Sequence, residues 1–187
     1  MSLNEDIKEV FITKNQLEMR TNQLAQKITE DYHDKNPIVL CVLKGAVVFM
    51  GDLIKKLDFP LEIDFMSISS YGGGTKSSGV VRILKDLDSS ITGRDILIVE
   101  DILDTGLTLN YLVRTLEERD PKSIKICTLL LKDKDEPDKQ IHVNPDYVGF
   151  SVRDEFVVGY GLDYDGHYRN LPYIGVLKEE IYKNEEE

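Results

Sequence analysis

The sequence is poor in several features that would each point to a class of protein. It has two cysteines, Cys41 and Cys127, and each lies inside an apolar run. That placement is typical of buried thiols in a reducing compartment rather than of a disulfide framework. Its apolar runs are too short to cross a bilayer, and no charged segment followed by an apolar one opens the chain. We therefore expect a cytoplasmic protein that has no membrane partner.

Basic residues are also in deficit. The chain has 23 lysines and arginines against 34 aspartates and glutamates, and its formal net charge is −11. This balance argues against a broad basic face of the kind that neutralises nucleic-acid phosphates, so we expect no nucleic-acid partner. A small anionic ligand held by local amides and a metal ion remains compatible with the charge. The length of 187 residues and the 41% of hydrophobic residues are typical of one folded domain.

Strand-like and helix-like patterns alternate along the chain, without an internal repeat. Continuous apolar runs of the buried-strand type occupy residues 38–43 and 96–99, and an amphipathic helical pattern follows each of them. Residues 124–131 are predicted to form the next strand. Repeated strand–helix units of this kind predict an α/β fold in which helices flank a mostly parallel central sheet. Ligands then bind beyond the carboxyl ends of the strands.

Three local signals refine this arrangement. Thr13 and Gln16 have the spacing of a capping box, which predicts the start of an N-terminal helix. The glycine-rich run at residues 71–79 predicts a loop, and the strand-like segments on either side of it are expected to pair in antiparallel fashion.

The most informative segment is VEDILDTGLT at residues 99–108. Two adjacent carboxylates, Glu100 and Asp101, close a buried strand, and a short polar turn with a glycine then opens a helix. Backbone N–H groups at the helix start, the positive end of its dipole and the hydroxyls of Thr105 and Thr108 together suit a phosphate dianion.

The paired carboxylates repel phosphate but accept hydrogen bonds from a sugar diol, or hold magnesium directly or through water. The segment therefore predicts a ribose 5-phosphate site. A simpler alternative is that its acidic residues only cap the helix. The segment is not a nucleoside-triphosphate P-loop, because the Gly-Lys-Ser/Thr ending is missing, and it is not a Gly-x-Gly-x-x-Gly dinucleotide fingerprint.

The motif Val-Glu-Asp-Ile-Leu-Asp-Thr-Gly-Leu-Thr-Leu resembles the phosphoribosyl-pyrophosphate motif of the type I phosphoribosyltransferases, and within them the hypoxanthine-guanine branch. Further segments in the family's order extend the resemblance to nearly the whole chain: residues 43–45, 70–71, 130–132 and 156–164, with Arg169. The resemblance implies the family's fold as a single domain over residues 1–187. Its core is expected at about residues 37–162, with a small hood built from the N-terminal helix and residues 163–187.

The resemblance also implies an activity in purine salvage. Such an enzyme transfers the 5-phosphoribosyl group from phosphoribosyl pyrophosphate to a 6-oxopurine base, hypoxanthine or guanine, with Mg²⁺ as cofactor. The products are IMP or GMP and pyrophosphate, and the subunits form a homodimer or homotetramer. Two alternatives stay open: a xanthine-preferring transferase, and a catalytically silent regulator that only binds phosphoribosyl pyrophosphate.

The resemblance assigns roles within the phosphate motif. Glu100 and Asp101 hold the ribose hydroxyls or the metal, with Asp163 as a further metal ligand. Asp104 is the catalytic residue, an acid/base that exchanges a proton with purine N7, and burial would favour its proton-carrying form. Helix capping is the competing role for Asp104. The other ligands of phosphoribosyl pyrophosphate are Lys44, Gly45, Thr105, Gly106, Leu107, Thr108 and Arg169.

Two loops complete the pyrophosphate side. The Leu43–Lys44 peptide bond is expected to be cis, which turns main-chain N–H groups toward pyrophosphate. Ser70 and Tyr71 belong to a mobile lid that closes over the site. Without the resemblance, Lys44 would be an ordinary lysine before a helix and the glycine-rich loop a linker.

The resemblance implies four residues that contact the purine base. Lys132 ends a strand and donates to the purine O6, which selects 6-oxopurines over adenine because the 6-amino group of adenine is a donor. Phe156 stacks on the purine ring, the main chain of Val157 reads the edge of the base, and Asp163 lies near its 2-position. Taken singly, these residues are also typical of a solvated strand end or of an apolar core.

Overall fold

A computed structural model describes residues 2–70, 81–133, 142–153 and 155–182, with Ser70 and Val81 described by their main chain alone. The strands are β1 Ile7–Ile12, β2 Ile38–Leu43, β3 Glu62–Ser70, β4 Val81–Lys85, β5 Asp95–Leu103, β6 Ser123–Lys132, β7 Tyr147–Val152, β8 Val157–Val158 and β9 Ile174–Leu177. The α-helices are α1 Lys14–Tyr32, α2 Val47–Ile54, α3 Leu107–Glu117 and α4 Glu179–Tyr182, and a 3-10 turn at Leu3–Asp6 precedes β1.

The larger sheet has six strands in the order β4-β3-β2-β5-β6-β7. All neighbours in it are parallel except β3 and β4, which pair in antiparallel fashion as predicted. The register aligns Cys41 of β2 with Val99 of β5, and Val99 with Cys127 of β6. The carboxyl ends of β2, β5 and β6 therefore lie at one edge of the sheet, which is where the sequence placed the ligand site.

Both faces of this sheet are covered, and β5 shows why its apolar run is continuous. Leu97 belongs to the core cluster that includes the buried residues of α1 and α2, whereas Ile98 belongs to the cluster that includes those of α3. Because successive side chains of a strand point to opposite faces, a strand between two helical layers needs apolar residues at every position. The predicted α/β fold is confirmed.

Helix α1 begins at the predicted capping box: the Gln16 N–H donates to Thr13 Oγ1 at 3.3 Å, and the Thr13 N–H donates to Gln16 Oε1 at 2.8 Å. Its apolar stripe, including Leu17 and Ile28, is buried in the core cluster that also contains β2 and β5 residues. The expectation that the N-terminal helix builds the hood is therefore wrong. Helix α1 packs against α2 and against β7, an edge strand of the six-stranded sheet, so it belongs to the layer that covers the large sheet.

The hood is built on a second sheet of three antiparallel strands in the order β1-β9-β8. Ile7 pairs with Leu177 and Val157 with Val176, so an early and a late segment of the chain meet in this small sheet. The expected boundary near residue 162 is too late, because β8 already belongs to the small sheet. Among the described residues, no helix has the length and apolar character that crossing a membrane requires.

Candidate active site

A cleft of about 230 Å³ opens where β5 and β6 end beneath the hood. It is lined by Asp101, Ile102, Lys132, Glu155, Phe156, Val157, Leu162 and Asp163. The four residues expected on the base side thus meet in one cleft with Asp101, which is expected on the ribose side. A larger cavity, of about 690 Å³, lies between α1, α2 and residues 169–172, and Arg169 is the only predicted site residue in its lining.

The acidic pair ends β5 in an unusual electrostatic state. Oε2 of Glu100 is buried and has no hydrogen-bond partner within the described part of the chain. Burial raises the pKa of Glu100 well above its ordinary value, and the neighbouring Asp101 charge adds to the rise. Burial also raises the pKa of Asp101, although the Ile102 N–H donates to its Oδ1 at 2.8 Å. Full ionisation of this pair calls for hydroxyl donors or a cation, and both fit the predicted ribose and magnesium roles.

The third predicted metal ligand is engaged elsewhere. Asp163 accepts from the Gly166 N–H at 2.8 Å and forms an ion pair with Arg169, whose Nη2 lies 2.7 Å from Asp163 Oδ1. Within residues 2–70, 81–133, 142–153 and 155–182, no three His, Cys, Asp or Glu side chains converge as metal ligands. Asp163 lines the same cleft as Asp101, but the structure does not join the three carboxylates into one coordination set.

The turn after β5 has the open geometry that a phosphate site needs. Gly106 occupies the N-cap position of α3 with φ of +72°; the Leu107 N–H donates to Thr105 Oγ1 at 3.5 Å, and among the described contacts Asp104 makes no capping hydrogen bond. Helix capping, the alternative role for Asp104, is therefore absent. Asp104 is exposed, so the burial that was a condition for its acid/base role is not met. As in every α-helix, the first N–H groups of α3 have no partner within the helix. The half-buried residues Thr105 and Thr108 flank them.

A segment distant in sequence supports this turn, and no local pattern predicted the contact. The His142 N–H donates to the Thr105 carbonyl at 3.2 Å. A Cβ at Gly106 would lie 3.5 Å from the Val143 nitrogen, so the segment after residue 141 packs directly behind the phosphate turn. Neither residue carries a local signal of this role, because the contact joins segments far apart in the sequence.

The loop after β2, which is predicted to bind pyrophosphate, lies against the acidic pair. The Leu43–Lys44 peptide bond is cis, as expected, and Lys44 is exposed. A Cβ added to Gly45 would lie 1.5 Å from Asp101 Oδ2, so the carboxylate occupies the space that any other residue would fill. A Cβ at Gly161 would lie 2.0 Å from the Gly45 carbonyl oxygen. Glycine at both positions allows three distant segments to touch.

Arg169 is tied to the segment that carries these contacts. Its Nη1 donates to the Gly161 carbonyl at 2.8 Å while its Nη2 pairs with Asp163. The guanidinium therefore stands between the base-side cleft and the larger cavity, with two of its nitrogens engaged.

The lid residues, three further residues of the cleft and Leu107 remain to be placed. Tyr71 and the side chain of Ser70 lie outside the described residues, so the lid stays a prediction. Ile102, Glu155 and Leu162 line the cleft but were not anticipated. Their adjacency to Asp101, Phe156 and Asp163 is the one signal that could have indicated them. Leu107 is exposed at the start of α3.

Comparisons with known proteins agree with this geometry. The family model of the phosphoribosyl transferase domain matches residues 11–165. The hypoxanthine-guanine phosphoribosyltransferase of Streptococcus thermophilus is 53% identical over 180 residues, which are 96% of this chain and 98% of that protein.

Solved structures give the same result. A hypoxanthine phosphoribosyltransferase from Staphylococcus aureus matches with a TM-score of 0.90 and 48% identity over 96% of each chain. A hypoxanthine-guanine-xanthine phosphoribosyltransferase matches with a TM-score of 0.82 and 43% identity, over 95% of this chain and 99% of that one. By the family match, the identities and the shared fold, this chain belongs to the phosphoribosyltransferase family.

Proposed function

We propose that this protein transfers the 5-phosphoribosyl group from phosphoribosyl pyrophosphate to hypoxanthine or guanine, a reaction of purine salvage that gives IMP or GMP. The observation that carries the proposal is the single cleft in which Lys132 and Phe156 face Asp101. A base site and a ribose site must adjoin for a glycosidic bond to form between their ligands. The relatives from Streptococcus thermophilus and Staphylococcus aureus are both named for the same base, hypoxanthine.

The phosphoribosyl group is proposed to lie along the edge formed by β2, β5 and α3. Its 5-phosphate takes the N–H groups at the start of α3 and the hydroxyls of Thr105 and Thr108. Its ribose hydroxyls donate to Glu100 and Asp101, which supplies the partner that the buried Glu100 Oε2 lacks within the described residues. Pyrophosphate lies at Lys44 and Gly45, with Arg169 as the bidentate donor.

Magnesium is the proposed cofactor, and the carboxylates that would hold it are Glu100 and Asp101, directly or through water. Asp163 joins them only when Arg169 turns from it to pyrophosphate. When bound, the ion neutralises negative charge on pyrophosphate as it departs. Its two proposed ligands have raised pKa values because they are buried, so a nearby cation favours their ionised form.

The transfer breaks a carbon–oxygen bond at C1 of the ribose and forms a carbon–nitrogen bond to the base, with oxocarbenium character between the two. Asp104 is proposed to exchange the proton at purine N7, and its exposed position on the turn between β5 and α3 leaves the carboxyl accessible to a ligand. Ser70 and Tyr71 are proposed to close over the site and exclude water.

Base choice is proposed to depend on Lys132 at the end of β6. Its ammonium group donates to an O6 acceptor, and adenine presents a donor at that position, which leaves two donors facing each other. Phe156 supplies the stacking surface and the main chain of Val157 reads the edge. We also propose that the protein works in the cytoplasm as a homodimer or homotetramer of one domain.

The test is a spectrophotometric assay with phosphoribosyl pyrophosphate, Mg²⁺ and hypoxanthine, guanine, xanthine or adenine in turn. Asp104→Asn is expected to lower kcat about 100-fold or more, because general acid–base catalysis contributes at least that factor. Asp58→Asn, at an exposed carboxylate on the loop after α2, is the matched control and should leave kcat unchanged.

Three outcomes would contradict the proposal. Xanthine as the best substrate would make the protein a xanthine-preferring transferase. Tight binding of phosphoribosyl pyrophosphate without turnover of any base would make it a regulator. Full activity of Asp104→Asn would remove the assigned proton transfer.

A further inference from the structure

The stacking surface for the base stands on a segment that has little regular structure of its own. Phe156 lies in the connection between β7 and β8, and its side chain is 39% exposed although it lines the cleft. A phenylalanine in such a connection would turn freely about its side-chain bonds, and a purine would then have to restrict that rotation when it binds. Some other contact must fix the ring if it is to be ready for the base.

Two aromatic rings of the hood provide that contact. The Tyr182 ring in α4 stacks on Phe156 with centroids 4.8 Å apart and planes inclined by 18°. The Tyr164 ring meets Phe156 edge-on, at 5.5 Å and 86°. Phe156 lines the cleft and neither tyrosine does, so the cluster of three rings extends from the cleft wall into the hood.

The backbone connects the same parts. The Leu177 N–H donates to the Phe156 carbonyl at 3.0 Å, so β9 is bonded to the residue that carries the stacking ring. Helix α4 follows β9 directly, and the Lys178 N–H donates to the Asp6 carbonyl at 3.0 Å. Tyr182 is thereby anchored to both the small sheet and the start of the chain.

We propose that Tyr182 is a positioning residue that holds the Phe156 ring in the orientation that a purine base requires. The inference rests on the proposed function, since it assumes that a planar base stacks on the other face of Phe156. A base then stacks as a third ring on the pair formed by Tyr182 and Phe156. Because Tyr182 already restricts the rotation of Phe156, the base does not lose binding free energy to that restriction. The effect is confined to the base, because phosphoribosyl pyrophosphate binds at the ends of β2 and β5.

The experiment compares steady-state kinetics of the full-length wild type and three variants. An aromatic pair contributes about 0.5–1.5 kcal/mol beyond its buried area, which corresponds to a factor of about two to ten. Tyr182→Ala should raise the KM for hypoxanthine by that factor and leave the KM for phosphoribosyl pyrophosphate within a factor of two of wild type. Tyr182→Phe keeps the ring and should restore the wild-type KM.

The third variant, Ile181→Ala, is the matched control. Ile181 precedes Tyr182 in α4 and packs against the same hood cluster, but it makes no ring contact with Phe156. It should lower Tm as Tyr182→Ala does, without a selective change in the KM for hypoxanthine.

Two results would overturn the proposal while leaving the proposed function intact. One is an active wild type in which Tyr182→Ala keeps the KM for hypoxanthine. The other is an equal rise of both KM values in Tyr182→Ala and Ile181→Ala, which would show general loosening of the hood. A wild type with no turnover of any base would instead overturn the proposed function itself.

Discussion

Replacing Glu100 with glutamine should stabilise the protein while it weakens the proposed activity. Glutamine keeps the size of the side chain and removes a charge whose Oε2 is buried without a partner in the described part of the chain. In the absence of ligands the charge only costs stability. With ribose or magnesium bound, the same oxygen becomes an acceptor or a ligand, and its loss should reduce kcat/KM for phosphoribosyl pyrophosphate at least about tenfold, the size of one strong charge-assisted contact.

The size of the stabilisation follows from the burial. An unsatisfied buried polar atom costs about 1–3 kcal/mol, and glutamine recovers the part that is due to charge, which we take as about 1–2 kcal/mol. For a protein of this length each kcal/mol moves Tm by about 2–4 °C, so Glu100→Gln should raise Tm by about 2–8 °C at pH 8.

The gain should depend on pH in a defined direction. The pKa of Glu100 is raised in the folded state, so folding is favoured by the protonated carboxyl and wild-type stability falls as pH rises above the unfolded pKa. The advantage of Glu100→Gln should therefore be largest at pH 8 and shrink toward pH 5. Thermal unfolding without magnesium, followed by circular dichroism across this range, measures it.

Asp95→Asn supplies a control of opposite sign at the start of the same strand. Burial alone would raise the pKa of Asp95, but hydrogen bonds from Ser123 Oγ at 2.6 Å and Lys122 Nζ at 3.2 Å outweigh it and lower the pKa. Its ionised form therefore stabilises the fold above the unfolded pKa, and Asp95→Asn should lower Tm at pH 8. A fall in Tm for Glu100→Gln, or a gain of equal size at pH 5 and pH 8, would refute the reasoning.

Two further predictions concern Gly45 beside the acidic pair and the capping box of α1. In Gly45→Ala the new Cβ would lie 1.5 Å from Asp101 Oδ2, so the carboxylate has to move. The loss of at least one charged contact should raise the KM for phosphoribosyl pyrophosphate more than about tenfold. Gly51→Ala in α2 is the control, because its Cβ would meet nothing within 4 Å; it should keep the wild-type kinetics and raise the free energy of unfolding by about 0.5–1 kcal/mol. Equal KM values in the two variants would contradict the prediction for Gly45. Thr13→Ala removes the capping box with Gln16 and should lower Tm by about 2–4 °C, for a loss of about 1 kcal/mol, at unchanged kcat; an unchanged Tm would show that α1 does not depend on its cap.

The strands and helices were predictable where local pattern decides them. The apolar run of β5 requires burial on both faces, and the Thr13–Gln16 spacing marks the first turn of α1 whatever the tertiary structure. The surface that covers α1 was not predictable, because an apolar stripe shows that a face is buried without showing against what. The same holds for β8, whose two residues form a strand only through pairing with β9.

The site divides along similar lines. Glu100, Asp101 and the Thr105–Gly106 turn are contiguous, so their chemistry could be inferred from one segment. The exposure of Asp104 and the contacts of Gly45 with Asp101 and Gly161 depend on how distant segments meet, which no local pattern records. The pairing of Arg169 with Asp163 is of the same kind, and it gives a predicted metal ligand a partner of its own.

The pairing of β1 with β9 sets an order in time for how this site is completed. Residue 7 is synthesised long before residue 177, so the small sheet closes only after residue 177 has been made. The six-stranded sheet, with the acidic pair and the turn that follows it, has all its strands by residue 152. Pairs so far apart in sequence form late because a large loop must close before they gain contacts. A nascent or truncated chain can thus form the acidic pair and the Thr105–Gly106 turn before Phe156 and the hood complete the cleft.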